Sequence, residues 1–333
     1  VKKALALAWS FFLLAEVSAS DWKFEFSPKF SLANGMQDEF VFAGGKKLSE
    51  LNWQIKNVPV FAADAKISYR KIFVSAGGKI GIPKKSGKLF DGDWQNALNS
   101  SESISSIKTN YSEGENSLKN YRSFFINAGG EFSFGRISIL PFAGMDFSAW
   151  KFKSSDGKGR YSTNENGIFF SAEAKEFYEQ NGYYGSYSLC KTELPLCAIQ
   201  LEREILFTWI GSGFRVSPAE RLEVNFSFAV SPFAYARSLD THYTDRSETY
   251  AKFFLDEMWS KWCAVKENLC ISFAFSKNHT IYLSAENVFS STLRGTTKIS
   301  YGKSSSGGYY RSLGESGASV SVTEFSFGYR LKF

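Results

Sequence analysis

Apolar and polar residues alternate over long runs of this chain. At residues 324–333, "EFSFGYRLKF" sets Phe325, Phe327, Tyr329, Leu331 and Phe333 against Ser326, Gly328, Arg330 and Lys332. "RLEVNFSFAV" sets Leu222, Val224, Phe226, Phe228 and Val230 against Glu223, Asn225, Ser227 and Ala229. "LNWQIKN" repeats the pattern, with Leu51, Trp53 and Ile55 facing away from Asn52, Gln54 and Lys56. A period of two belongs to a strand with one apolar and one polar face. Roughly ten such strands can be counted. Short turns are expected near residues 60, 130, 219 and 278, and long polar connections at 34–48, 84–117, 153–197, 238–265 and 292–316.

The first residues bear on where those apolar faces point. A basic start at Lys2 and Lys3, the apolar "ALALAWSFFLLA" and small residues ending at Ala19 predict an export signal over residues 1–19. The remainder, 20–333, reads as one domain, with no internal repeat and no linker. After the signal no run reaches the roughly 18 apolar residues of a helical span. The last residue, Phe333, is aromatic and in the apolar phase, which resembles the terminal assembly signal of bacterial outer-membrane barrels. An exported sheet with no helix to cover it, carrying 17% aromatic and 22% charged residues, fits apolar strand faces turned to lipid. Strands cross hydrocarbon only as a closed barrel. The expected fold is therefore all-β, a ten-stranded antiparallel transmembrane β-barrel with long extracellular loops, and function belongs on those loops.

Charge and cysteine refine this picture. The net charge of +6 comes from Lys and Arg scattered among acids, without the basic stripe a nucleic-acid partner requires. Cys190 and Cys197 are separated by six residues, as are Cys263 and Cys270. In an oxidising compartment this predicts two local disulfides clipping outer loops, although three connectivities are open. No histidine adjoins either pair, which weakens a zinc reading.

Chemistry concentrates in two short elements. "DGDW" places Asp91 and Asp93 on one face of a strand, with Trp94 next. "DTHY" gives Asp240 and His242 the same spacing, followed by Tyr243. His242 is one of only 2 histidines; the other, His279, falls in a turn where a solvated ring is expected. A lone Asp-x-Asp is commonly a solvated loop or part of a metal site, but no further metal-ligand set is visible.

Together these elements resemble those of the omptin family of outer-membrane endoproteases, ten-stranded barrels with a groove open to the exterior. "SELNWQIKN" at 49–57 and "TWIGSGFRVSPAERLEVNFSF" at 208–228 resemble that family's second, sixth and seventh strands. The resemblance implies a peptidase without cofactor or metal. Asp91 and His242 would bracket the attacking water, Asp240 would hold His242, and Asp93 would support the charge arrangement. Imidazole titrates near neutral pH, and a fixed carboxylate sets its tautomer. It also implies polypeptide substrates cut beside Arg or Lys, with Glu39 as a substrate-binding carboxylate. Ser238 stands where the family carries a second acid, so a relaxed basic preference is expected. The family's lipid-phosphate positions fall at Met145, Phe147 and Ala149, and its strand-six arginine at Glu204 beside Arg203, which implies no lipopolysaccharide requirement beyond ordinary outer-membrane lipid. A monomer is expected. The competing expectation is an inactive barrel serving as an adhesin or structural surface protein, separable by whether Asp91, Asp93, Asp240 and His242 converge.

Overall fold

The computed structural model describes residues 21–94, 110–161, 168–169, 188–189, 194–195 and 197–333; the expected export signal lies outside them. Ten strands run antiparallel around a ring. They are β1 (Trp22–Ala43), β2 (Lys46–Tyr69), β3 (Ile72–Gly81 and Lys84–Asp93), β4 (Asn110–Gly130) and β5 (Ile137–Tyr161). The ring continues with β6 (Ile199–Ala219), β7 (Leu222–Ser231 and Ala234–Tyr243), β8 (Ala251–Ser260 and Ala264–Ala274), β9 (His279–Ser290 and Leu293–Gly302) and β10 (Tyr310–Lys332). Each strand pairs with its neighbours in sequence, and β10 returns to β1 from Glu25↔Lys332 to Phe42↔Glu315. Closure leaves no open sheet edge, as a hydrocarbon environment demands.

One half of the barrel wears an apolar belt. Phe61, Leu283 and Phe327 are 58%, 62% and 56% exposed, and Phe124, Phe214 and Phe226 also face outward. This lower half is the transmembrane zone. The upper half inverts the rule. Leu51, Trp53 and Ile55, expected on the apolar outer face, are instead buried in the barrel, at 3%, 0% and 2% exposure. The cause is a bulge in β2: Lys56 and Asn57 oppose the single Asn34 of β1. Asn57 takes a left-handed φ of 50°, and its N–H donates to Asn34 Oδ1 at 2.9 Å. One extra residue exchanges the faces. Below the bulge Val58 and Val60 point inward and Phe61 outward; above it, Asn52, Gln54 and Lys56 form the outer face.

Four strands are interrupted where the belt ends, at residues 82–83, 232–233, 261–263 and 291–292. Backbone bonds bridge these breaks, including Ile82 N to Pro59 O at 2.9 Å and Ser291 N to Cys263 O at 2.7 Å. Other expectations shift accordingly. The first lower turn is at Arg70–Lys71, because residues near 60 lie inside β2, and residues 34–48 are strand around a tight Gly44–Gly45 turn. Those glycines have φ of 55° and 78°, which a two-residue hairpin turn of this hand requires.

The interior is layered. Inside the belt, charges from different strands pair: Lys79 with Glu286 at 2.7 Å and Glu324 at 2.9 Å, Lys29 with Asp64 at 2.8 Å, and Lys266 with Asp146 at 2.6 Å. Above them lies an aromatic layer. Tyr121 stacks on Trp150 at a ring separation of 3.7 Å, and Phe152 packs on Trp53 at 5.9 Å. These rings plug a barrel whose bore is narrow enough for side chains to fill.

The expected Cys263–Cys270 disulfide is not formed; both are buried free thiols. The seven residue-to-residue steps of near-extended chain from one to the other span about 23 Å, far beyond disulfide reach. The supposed loop is strand. Cys197 is also free, and its expected partner Cys190 lies outside the described residues. His279 is no solvated turn residue: it opens β9, bonds the Tyr329 hydroxyl and stacks on Phe275.

Candidate active site

The upper halves of the strands bring both acidic elements to one cleft. Asp91 and Asp93 stand near the end of β3, and β4 supplies each with a donor. Ser112 Oγ donates to Asp91 Oδ2 at 3.3 Å, and Asn110 Nδ2 to Asp93 Oδ2 at 3.1 Å. The register explains this, since Asp91 lies level with Ser112 and Asp93 with Asn110.

Asp240 and His242 stand on β7, between Leu201 and Ile199 of β6 and Phe254 and Lys252 of β8. The break at Pro232–Phe233 decides where they point. Ala229 and Ser231 are the buried positions before it, whereas Ala234, Ala236, Ser238 and Asp240 are buried after it. The inward phase moves from odd to even residues, and Asp240 turns into the barrel. His242 Nε2 lies 2.5 Å from Asp240 Oδ2, and the ring meets Phe254 edge-on at 5.3 Å. Asp240 is buried, while the His242 side chain stays 32% exposed. Because Asp240 takes Nε2, Nδ1 is the nitrogen left to face a reagent.

A cleft of about 330 Å³ is lined by Glu39 of β1, Asp93, Asp240, His242, Asp256 of β8 and Thr297 of β9, with apolar walls from Val41, Leu48, Leu51 and Phe254. Asp91 stands beside it and acts through its charge. All these groups lie above the apolar belt.

Their electrostatics are strongly coupled. Burial works against protonation of His242, but Asp240, helped by Asp91 and Glu39, outweighs it and lifts the ring to about 9. Burial, then the Asp93 charge, lifts Asp91 to about 7, against the opposing pull of His242. The imidazolium thus opposes only part of the rise at Asp91, while Ser112 and Asn110 donate to Asp91 and Asp93. Burial also raises Asp256 to about 7, although Thr297 donates to it at 2.7 Å, and raises Glu39 with help from Asp240.

Two residues of the site escaped the sequence reading. Arg203 does not face lipid: it shares the inward phase of Leu201 and Ile205, is 1% exposed, and reaches Ser238 on the neighbouring strand. Asp256 has no motif around it; only the β7–β8 register, Ser238↔Asp256, brings it near Arg203 and Asp240. Among the described residues no group of three or more His, Cys, Asp and Glu is arranged to hold a metal ion.

The Omptin family model matches residues 23–333. The chain belongs to the Omptin family. Its fold is similar to the crystal structure of the outer membrane protease OmpT from Escherichia coli, with a TM-score of 0.75 and 17% identity over 95% of this chain and 99% of that one. The outer membrane protein OprG from Pseudomonas aeruginosa aligns at a TM-score of 0.35 and 8% identity, over 93% of this chain and 95% of that one. No curated protein matches the sequence. This omptin is thus an outer-membrane barrel from a family of proteases.

Proposed function

We propose that this omptin is an outer-membrane endopeptidase whose cleft opens to the cell exterior and hydrolyses polypeptides with water held between Asp91 and His242. The observation that carries this reading is the meeting, around one cleft, of Asp91 and Asp93 from β3 with Asp240 and His242 from β7. Their distance above the belt and the long upper connections support an outward-facing site.

The electrostatics support a division of the proton steps. Between about 7 and 9 the site holds an Asp91 carboxylate and a His242 imidazolium. Asp91 takes a proton from water as its oxygen attacks the peptide carbonyl. His242 donates its proton to the departing amine, and Asp240 stabilises the ring charge throughout. No covalent intermediate is needed. Burial and, after it, the Asp93 charge raise the basicity of Asp91 and so match it to neutral pH.

The expected Arg or Lys preference rests on Glu39, which does line the cleft. Its carboxylate lies 3.8 Å from Arg203 Nη2, so the charge that would receive a substrate cation is already faced by one. The refolded protein should cleave a quenched fluorescent peptide library, and His242→Ala and Asp91→Ala should abolish cleavage with the barrel intact. A folded parent that cuts nothing in the library, with or without outer-membrane lipid, would leave the inactive adhesin as the better reading.

A further inference from the structure

The buried guanidinium of Arg203 is held by hydrogen bonds that involve none of its neighbouring carboxylates. Its Nε donates to Ser238 Oγ at 2.8 Å and its Nη1 to the backbone oxygen of Asp38 at 2.8 Å. Those two bonds fix the plane of the group. The remaining nitrogen, Nη2, faces Glu39 Oε2 at 3.8 Å, too far for a hydrogen bond, and neither atom has another partner among the described residues. The charges of Asp256 and Asp240 also act on Arg203. The Arg203 side chain is 0% and that of Glu39 5% exposed. A positive charge belonging to the protein therefore stands behind the carboxylate wall of the cleft, held by β1 and β7 and not by any substrate.

We propose that Arg203 is a specificity-determining residue, an internal counter-ion that occupies the role of a basic substrate side chain, so that the cleft selects uncharged, apolar side chains over Arg and Lys. This rests on the peptidase reading above and reverses its expected substrate preference. A cation entering the cleft would meet Glu39 with Arg203 directly behind it, and the two charges would repel. Glu39, the acid that would receive it, is already faced by a cation of the protein. An uncharged side chain meets Val41, Leu48, Leu51 and Phe254, which supply most of the remaining wall. An acidic side chain would face Glu39 and Asp256. Specificity here is a difference between affinities, and the repulsive element is built in.

The comparison to make is between peptides identical except for one residue: Arg, its uncharged isostere citrulline, or Leu. Cleavage rates are measured on the parent, on Arg203→Met and on Arg203→Lys. Binding of the Arg and citrulline peptides is measured separately on proteins that also carry His242→Ala, so that the outcome does not depend on turnover. The parent should favour Leu and citrulline over Arg. Arg203→Met should reverse this by about tenfold or more, and Arg203→Lys should keep the parental order. Removing one buried partner can unfold a protein, so Arg203→Met paired with Glu39→Gln serves as a neutral control and should bind Arg and citrulline alike. A parent that prefers Arg to citrulline by tenfold, in cleavage or binding, overturns the proposal, as does an unchanged ratio in folded Arg203→Met. A parent that cleaves none of the peptides, and so matches His242→Ala, counts against the peptidase reading alone, because the binding arm still decides the role of Arg203.

Discussion

The lower lumen and the upper cleft are lined by the same kind of inward-facing strand residue, yet they treat charge in opposite ways. In the lumen Lys79 sits between Glu286 and Glu324, and Lys29 and Lys266 each have an acid within 2.8 Å. In the cleft Asp91, Asp93, Asp240, Asp256 and Glu39 crowd around one imidazole and one guanidinium. Paired charges stabilise a polar lumen. Under-compensated ones cost stability and shift proton affinities, which marks a site built for chemistry.

The largest effect expected from breaking this contrast is on the cleft side. His242→Ala should lower kcat/KM on a cleavable peptide by about 10³-fold, within the range for loss of a positioned acid or base. The barrel should stay folded, although its thermal stability should fall modestly because the cation facing Asp240 and Asp91 is lost. A large loss of stability with proportionate loss of activity would place His242 among the structural residues.

Lys79→Met tests the lumen from the other direction. It leaves Glu286 and Glu324 without their common cation, and breaking a buried pair costs about 3–5 kcal/mol. Denaturant unfolding should show that loss, while kcat/KM of the folded fraction should stay unchanged. A drop in kcat/KM would mean that the aromatic layer of Trp53, Tyr121, Trp150 and Phe152 transmits lumen strain to the cleft.

The outer faces of the two halves differ as well. Phe327→Arg puts a charge into the apolar belt and should cost about 2–4 kcal/mol in lipid. Gln54→Arg, on the polar outer face above the bulge, should cost only about 1 kcal/mol, the bond it accepts from Lys88 N–H. Equal costs at the two positions would contradict the belt boundary drawn at Asn57.

These contrasts also show what could be read from the chain beforehand. The period of two was legible because each strand needs only local alternation, and the candidate pairs Asp91/Asp93 and Asp240/His242 were legible because i and i+2 share a face on any strand and the two elements together resemble those of omptins. Which face points inward was not, because one inserted residue reverses it. The bulge at Lys56–Asn57 reversed the assignment of Leu51, Trp53 and Ile55, and the break at Pro232–Phe233 turned Asp240 inward. Arg203 was invisible for a related reason: its partners Ser238, Asp38 and Glu39 come from two other strands. The Cys263–Cys270 spacing misled because loop and strand have the same sequence separation but very different reach.

The smallest effect, and the most specific to the cleft, is on pH dependence. Asp91 must be ionised to take a proton and is raised to about 7, so kcat/KM should fall as pH drops through that value, by about tenfold per unit below it. His242 must carry its proton and is raised to about 9, so activity should fall again as pH rises through 9. The Asp93 charge is, after burial, what raises Asp91, so Asp93→Asn should move the acid limb below 7 and leave the alkaline limb near 9. Lys79→Met should move neither limb, because its charges are balanced within the lumen. An acid limb that stays at 7 in Asp93→Asn would assign that titration to another acid of the cleft, with Asp256, also raised to about 7, the next to test.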